Sequence, residues 1–245
     1  MIVAAKSDIG KHRTENQDAY CFKIINDHIA YGIVCDGMGG ANGGKIASKM
    51  AVETISEILE QFFETADEPY EITTLLRRAI RAANDKIYGL AGQQPELHGM
   101  GTTLVVAIIV RNNLFIGNVG DSRAYLFFGD SIQQISVDHS AVQELVDQGK
   151  ITQDQAKKHP GKNIITRALG VDSLVEFDYF TYNFLPGDRV LLCSDGLSNY
   201  CCDEVLLSMA KEPWPLTKIV ERLVDYANEQ GGQDNITALL IQQDR

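Results

Sequence analysis

Residues 34–40 read VCDGMGG, an apolar run that ends in Asp36 and passes into glycines. The pattern returns at residues 191–196, LLCSDG, where Asp195 follows a second apolar run. A carboxylate at the end of a buried strand is costly to desolvate unless a partner compensates its charge. Three further aspartates stand beside apolar runs or in turns, namely Asp18, Asp121 and Asp234. We therefore expect the ends of several strands to meet at one acidic site.

Carboxylates that converge in this way repel one another unless a cation lies between them. Ligation by oxygen alone selects Mg²⁺ or Mn²⁺ over zinc. Two such ions about 3.5–4 Å apart would hold a bridging water, lower its pKa and supply hydroxide for in-line attack on phosphorus. Any single Asp-Gly pair is commonly just a turn. Five aspartates in these positions, most attached to apolar runs, favour a multi-metal site instead.

The bulk composition excludes several classes of protein. The 245 residues are 44% hydrophobic and 22% charged, which is enough for one sizeable core. The net charge of −11 argues against nucleic-acid binding. The five cysteines show no zinc or disulfide spacing, which favours a reducing, cytoplasmic compartment. No signal peptide is expected, and the longest apolar run, residues 104–110, has the length of a strand rather than a membrane span.

Hydrophobic periodicity predicts the secondary structure. Strand patterns occupy residues 19–25, 29–35, 103–110, 113–119, 122–128, 131–137, 175–182, 189–193 and 237–242. Helix patterns occupy residues 47–63, 72–90, 203–210 and 216–229. A glycine-rich loop is expected at residues 37–44, a chain break at Pro69, and one antiparallel meander over residues 103–137.

The order of these elements is strands, two helices, strands, two helices and a strand. It predicts an α+β fold, a four-layer α/β/β/α sandwich of two antiparallel sheets flanked by helix pairs. Without a linker or repeat, residues 1–245 are expected to form a single domain. Residues 139–167 differ from the rest because they are polar and carry only two short helical patterns. They are interpreted as a mobile insertion over the sheet edge.

Eight short motifs occur in an order that is far more specific than any one of them. They are RTENQD at 13–18, DGMGG at 36–40, GMGTT at 99–103, GDSR at 120–123, DHS at 138–140, TRALG at 166–170, SDGL at 194–197 and GGQDNIT at 231–237. In this order they resemble the metal-dependent Ser/Thr protein phosphatases, the PPM or type 2C family, and in particular its bacterial branch. The resemblance covers essentially the whole chain.

The resemblance implies a set of metal ligands. Asp36 would bridge two ions, Mn²⁺ or Mg²⁺, with the Gly37 carbonyl on one of them. Asp195 and Asp234 would be the remaining direct ligands of the pair. Asp121, together with Asp195, would form the third-metal site of bacterial members.

The resemblance also implies roles for residues around the ions. Asp18 would hold metal-bound water from the outer shell, and Arg13 would bind the substrate phosphate through its planar fork. Eukaryotic members carry a histidine directly after the Asp-Gly pair, whereas this chain has Met38. Methionine cannot protonate a leaving alkoxide, so the donor is a metal-bound water or another group. His139 is expected to be a structural, hydrogen-bonded histidine.

The implied activity is hydrolysis of phosphoserine and phosphothreonine on proteins, in opposition to a bacterial Ser/Thr kinase. Its partners would be phosphorylated proteins, without nucleic acid or membrane, and the protein would be a monomer. Residues 139–167 would form the flap subdomain, which discriminates between substrates by opening and closing. Two other functions compete with this one. A catalytically silent regulatory module would be expected to lack a ligand, and none is missing. Another two-metal phosphoesterase would act on small molecules or nucleic acid, but residues 37–44 lack the Lys-Ser/Thr ending of a P-loop.

Overall fold

The structure is a computed structural model that describes residues 1–39, 43–63 and 69–244, with only the backbone described at 69–71. The strands are β1 (Ile2–Asp8), β2 (Asp18–Asn26), β3 (Ile29–Met38), β4 (Gly101–Thr102), β5 (Leu104–Val110), β6 (Asn113–Val119), β7 (Arg123–Phe128), β8 (Ser131–Gln134), β9 (Asp178–Asn183), β10 (Arg189–Cys193) and β11 (Ile236–Gln242). The α-helices are α1 (Gly43–Phe62), α2 (Pro69–Gln93), α3 (Ala141–Asp147), α4 (Gln153–Ala156), α5 (Asp195–Ser198), α6 (Asp203–Lys211) and α7 (Leu216–Gln230). A 3₁₀ turn, Pro95–Leu97, follows α2.

The strands form two antiparallel sheets. The first has the order β1-β11-β10-β7-β8, and the second has the order β2-β3-β5-β6-β9 with β4 paired to β3. Helices α1 and α2 pack on the outer face of the second sheet, and α6 and α7 pack on the outer face of the first. Successive side chains of β3 point to opposite faces of the sheet and so enter different cores. Ile33 packs against the helices, whereas Val34 packs against the other sheet. The predicted four-layer sandwich is confirmed.

The predicted single meander over residues 103–137 is wrong. Strand β6 pairs with β5 and β9 in the second sheet, whereas β7 pairs with β10 and β8 in the first. The chain therefore crosses between the sheets at residues 120–122, where Gly120 adopts a positive φ of 97° that favours glycine. Periodicity identifies a strand and its two faces, but it does not say which sheet the strand joins. Asp121 lies at this crossing.

Other differences have local causes. Pro69 begins α2 rather than breaking the chain, because the first turn of a helix does not need the N–H that proline lacks. Strand β1 was not predicted, and it pairs along its length with β11. The predicted glycine-rich loop lies partly outside the described residues, between the end of β3 at Met38 and the start of α1 at Gly43.

None of the helices in the described part of the chain combines the length and apolar character needed to cross a bilayer.

Candidate metal centre

One rim of the sandwich gathers strand ends from both sheets around a cavity of about 540 Å³. Asp36 lies near the end of β3, and Asp195 follows β10 in the first turn of α5. Six of the seven site residues predicted from the sequence line this cavity: Arg13, Asp36, Gly37, Asp121, Asp195 and Asp234. The seventh, Asp18, pairs with Asp36 across β2 and β3 and is held by hydrogen bonds from the first sheet.

The carboxylates raise one another's proton affinity. Burial raises the pKa of Asp36 well above its usual range, and repulsion from Asp18 and Asp195 adds to the shift. Burial, followed by the charge of Asp195, also raises the pKa of Asp121 to about 7. The pKa of Asp195 is raised by burial and then by the charge of Asp234. Without a counter-charge, part of this cluster would therefore hold protons near neutral pH.

Asp18 is fixed by two hydroxyl donors. Its Oδ2 accepts hydrogen bonds from Thr237 Oγ1 at 2.6 Å and Ser194 Oγ at 2.7 Å. Burial outweighs these bonds and raises its pKa to about 7. Its other oxygen, Oδ1, is buried without a hydrogen-bond partner in the described structure, as is Oδ1 of Asp195. An unsatisfied buried acceptor costs about 1–3 kcal/mol, which a cation or an ordered water would recover.

These features fit hard divalent cations. Apart from Arg13, the charged side chains that line the cavity in the described structure are all carboxylates, which supply oxygen only, and two of the site's carboxylates carry an oxygen that lacks a hydrogen-bond partner. Within the described residues, no three His, Cys, Asp or Glu side chains are arranged to hold an ion by themselves. Mg²⁺ typically keeps several waters and takes only one or two carboxylates, so an open, shared site suits it better than a closed cage.

The glycines of the two Asp-Gly pairs are required by packing. A Cβ on Gly37 would lie 2.0 Å from the carbonyl oxygen of Gly44, and one on Gly196 would lie 1.9 Å from that of Asn235. Real Cβ atoms do not approach backbone this closely. Each of these glycines therefore lets two backbone segments meet beside a carboxylate.

Arg13 lies against a predicted metal ligand. Its Nη2 donates a hydrogen bond to Asp234 Oδ2 at 2.7 Å, and this pairing raises the pKa of the guanidinium. The Arg13 side chain remains 54% exposed. Part of the guanidinium is therefore accessible from the cavity.

Three residues that hold the site were not given roles from the sequence. Thr103 Oγ1 accepts a hydrogen bond from the Asp36 backbone N–H at 2.9 Å and contacts Ser122 Oγ at 2.7 Å. Thr237 and Ser194 orient Asp18, as described above. All three lie inside or beside the motifs already quoted. Only Ser194 stands next to an aspartate in the sequence, so membership of a motif was the available signal, since hydrogen bonds between distant residues leave no periodic pattern.

His139 is placed as a structural histidine. Its ring is buried, and Nδ1 accepts a hydrogen bond from the Gly120 N–H at 3.1 Å. Its Nε2 lies 3.2 Å from Asp178 Oδ2, and burial lowers its pKa. Met38 lines the cavity, and no histidine is among the described residues that do.

Comparison with known proteins identifies a family over nearly the whole chain. The family model described as protein phosphatase 2C matches residues 10–241. The serine/threonine phosphatase stp of Listeria monocytogenes is 40% identical over 241 residues, which cover 98% of this chain and 94% of that protein. The protein phosphatase PhpP of Streptococcus pneumoniae is 36% identical over 242 residues, covering 98% and 97%.

Solved structures agree with the sequence comparisons. The Mycobacterium tuberculosis serine/threonine phosphatase PstP/Ppp superimposes with a TM-score of 0.89 at 33% identity, covering 100% of this chain and 99% of that one. The catalytic domain of a serine/threonine protein phosphatase PstP, in complex with two manganese ions, gives a TM-score of 0.84 at 34% identity, covering 98% and 96%.

Proposed function

The chain belongs to the protein phosphatase 2C family of metal-dependent serine/threonine phosphatases, and we propose that it removes phosphate from phosphoserine and phosphothreonine in cytoplasmic proteins. The family predicted from the sequence is thereby confirmed. The observation that carries the proposal is the cavity in which four aspartates and one arginine from distant parts of the chain converge. The expected biological setting is opposition to a bacterial Ser/Thr kinase, with the phosphatase acting as a monomer.

Two ions, Mn²⁺ or Mg²⁺, would be held by Asp36, the Gly37 carbonyl, Asp195 and Asp234. Asp121 would join Asp195 in holding a third. When bound, such ions neutralise phosphate charge and supply hydroxide near neutral pH. The unpartnered Oδ1 atom of Asp195 supports its assignment as a ligand.

The protein's own groups would position the substrate and the attacking water. Arg13 would bind phosphate oxygens through its exposed N–H groups while it keeps its bond to Asp234. Asp18 would accept a hydrogen bond from water through Oδ1, because its Oδ2 is already engaged by two hydroxyls. Met38 has no proton to give, so the leaving alkoxide would take its proton from water or from another group.

Residues 139–167 would serve as a flap beside the metals within a single domain, residues 1–245. Its two ends pair with each other: the Thr166 N–H donates to the His139 carbonyl at 2.8 Å, and the Ala141 N–H donates to the Ile164 carbonyl at 2.9 Å. Asn163 and Ile165, near its second end, line the cavity. Substrates that approach the carboxylates would therefore contact this segment.

A direct test is hydrolysis of a phosphothreonine peptide by the wild-type protein with Mn²⁺, with Mg²⁺ and with EDTA. We expect turnover with metal and none with EDTA, and Asp195→Asn should lose the metal-dependent rate while its circular dichroism spectrum is retained. If folded, metal-loaded wild-type protein left the peptide intact, the phosphatase assignment would be wrong and a silent regulatory module would replace it.

Replacing Arg13 with alanine is expected to raise KM for the phosphothreonine peptide about tenfold or more, with a smaller change in kcat. Hydrogen bonds to charged groups contribute roughly 1.5–3 kcal/mol, and about 1.4 kcal/mol corresponds to a factor of ten. The change should appear mainly in KM, because the residues that hold the metals remain. Steady-state kinetics at saturating Mn²⁺ measure it. Arg222→Ala, at a half-buried arginine of α7 outside the cavity, is the control and should leave KM unchanged. An unaltered KM in Arg13→Ala would remove the phosphate-binding role.

A further inference from the structure

Asn235 uses its side chain to hold the segment that carries Arg13. Its Nδ2 donates hydrogen bonds to the carbonyl oxygens of Ile9 at 2.9 Å and Glu15 at 3.0 Å. Its Oδ1 accepts a hydrogen bond from the Gln17 N–H at 2.8 Å. The side chain of Asn235 is nearly buried, at 4% exposure. One amide therefore satisfies three backbone groups on both sides of Arg13.

The backbone of the same segment lies directly on the turn that precedes β11. The Lys11 N–H donates to the Gly232 carbonyl at 2.7 Å. Gly10 has a φ of 79°, and a Cβ at that position would lie 2.2 Å from the Asp234 carbonyl oxygen. Residues 9–17 and residues 232–235 are thus in backbone contact, and Asn235 supplies the side-chain bonds between them.

Asn235 also connects this segment to the second sheet. The Gln17 carbonyl accepts hydrogen bonds from Ser48 Oγ at 2.6 Å and from the Gly37 N–H at 3.2 Å. Gln17 is therefore hydrogen-bonded to Asn235 through its N–H and to the Gly37 N–H through its carbonyl. Gln17 thus links the segment that carries Arg13 both to Asn235 and to the end of β3.

Asn235 lines the cavity, but both of its N–H donors are already engaged. It therefore has no free donor to offer a phosphate oxygen. Its neighbour Asp234 accepts from the Asn235 backbone N–H at 2.8 Å through Oδ1 and from Arg13 at 2.7 Å through Oδ2. Asp234 therefore binds the Arg13 side chain, and Asn235 binds the backbone on both sides of Arg13.

We propose that Asn235 is the positioning residue for Arg13: its amide fixes residues 9–17 so that the guanidinium stays beside Asp234, facing the cavity. The role of Arg13 toward phosphate rests on the proposed function, whereas the placement of the segment does not. Without the Asn235 amide, the Ile9 and Glu15 carbonyls and the Gln17 N–H would lose these hydrogen bonds. The segment would then no longer hold Arg13 beside Asp234.

The test compares Asn235→Ala, Arg13→Ala and the double variant, with Asn84→Ala as the matched control. Asn84 is another buried asparagine that bonds two backbone groups, the Gly170 N–H at 2.8 Å and the Asp172 carbonyl at 2.9 Å, far from residues 9–17 in sequence. KM and kcat for the phosphothreonine peptide are measured at saturating Mn²⁺. Hydrogen exchange of the amides of residues 11–17 is measured on metal-free protein.

We expect Asn235→Ala to raise KM about as much as Arg13→Ala, roughly tenfold, and the double variant to be no worse than either single one. Exchange at residues 11–17 should accelerate in Asn235→Ala and stay unchanged in Asn84→Ala. Should Asn235→Ala fail to fold, Asn235→Leu is closer in volume, loses both donors and the acceptor without adding charge to the cavity, and is expected to behave in the same way.

The outcomes separate this inference from the phosphatase proposal. If Arg13→Ala raises KM and Asn235→Ala does not, or if the two effects multiply in the double variant, the positioning role is wrong. If Arg13→Ala leaves KM unchanged, the phosphate-binding role of the arginine fails, and exchange alone decides the placement. Faster exchange at residues 11–17 in Asn235→Ala then supports it, and unchanged exchange overturns it.

Discussion

Replacing Asp36 with asparagine is expected to lower Mn²⁺-dependent turnover by about 10³-fold or more. Asp36 is the carboxylate whose pKa is raised by the charges of four others, Asp18, Asp195, Asp121 and Asp234, in addition to its burial. A cation shared with these carboxylates would therefore relieve the repulsion at Asp36. Metal ions supply several kcal/mol of stabilisation to such reactions, and about 1.36 kcal/mol corresponds to a factor of ten in rate. Asparagine keeps the size of the side chain but removes its charge.

The measurement is kcat/KM for the phosphothreonine peptide, together with the affinity for Mn²⁺ by calorimetry. Asp225→Asn, on the exposed face of α7, is the control and should match the wild type in both. In EDTA the Asp36→Asn protein should be at least as stable as the wild type, because a buried charge has been removed from a repulsive cluster. A turnover within tenfold of the wild type would refute the assignment of Asp36 as a shared ligand.

Metal-free protein is expected to lose thermal stability as the pH rises from about 5 to 8, in contrast with the usual behaviour of paired carboxylates. The pKa of Asp18 and that of Asp121 are each raised to about 7 from the ordinary value of 3.8. The native state therefore binds more protons than the unfolded state between these two values, so stability falls with increasing pH. The contribution is complete below about pH 4 and lost above about pH 7.

Calorimetric melts in EDTA at pH 5 and pH 8 measure this effect. A few kcal/mol, at about 2–4 °C per kcal/mol for a chain of this size, would lower Tm by roughly 10 °C at the higher pH. Adding Mn²⁺ at pH 8 should restore Tm, because the cation replaces the lost protons. Asp36→Asn in EDTA should show a smaller dependence on pH. If the metal-free wild type had a Tm at pH 8 equal to or higher than its Tm at pH 5, the raised pKa values of Asp18 and Asp121 would be contradicted.

The sequence predicts most of the architecture because each layer has its own periodic pattern. Strand β10 was predicted with its observed bounds, and α7 within one residue. Strand β1 was missed because its apolar residues, 2–5, form a short run without alternation before the charged Lys6 and Asp8, and because its pairing with β11 spans almost the whole chain. The crossing at residues 120–122 was missed because period-2 alternation is the same in either sheet.

The aspartates of the site could be predicted because each stands beside an apolar run or in a turn, which is a local signal. Convergence of Asp36, Asp121, Asp195 and Asp234 on one cavity agrees with that prediction, while their roles as ligands stay predictions. The supporting residues could not be found in this way. Asn235 is bonded to Ile9 and Glu15, more than 200 positions earlier, and no local pattern reports a partner at that distance.

The pairing of β1 with β11 has a consequence for how the protein is made. Strand β11 lies between β1 and β10, so β1 has no sheet neighbour until β11, the last of the described strands, has been synthesised. Asp234 and Asn235 directly precede β11 and arrive at the same time. A nascent chain would thus carry Asp36 and Asp195 without the residues that place Arg13. We therefore expect the nascent chain to lack phosphatase activity until β11 has left the ribosome and paired with β1 and β10.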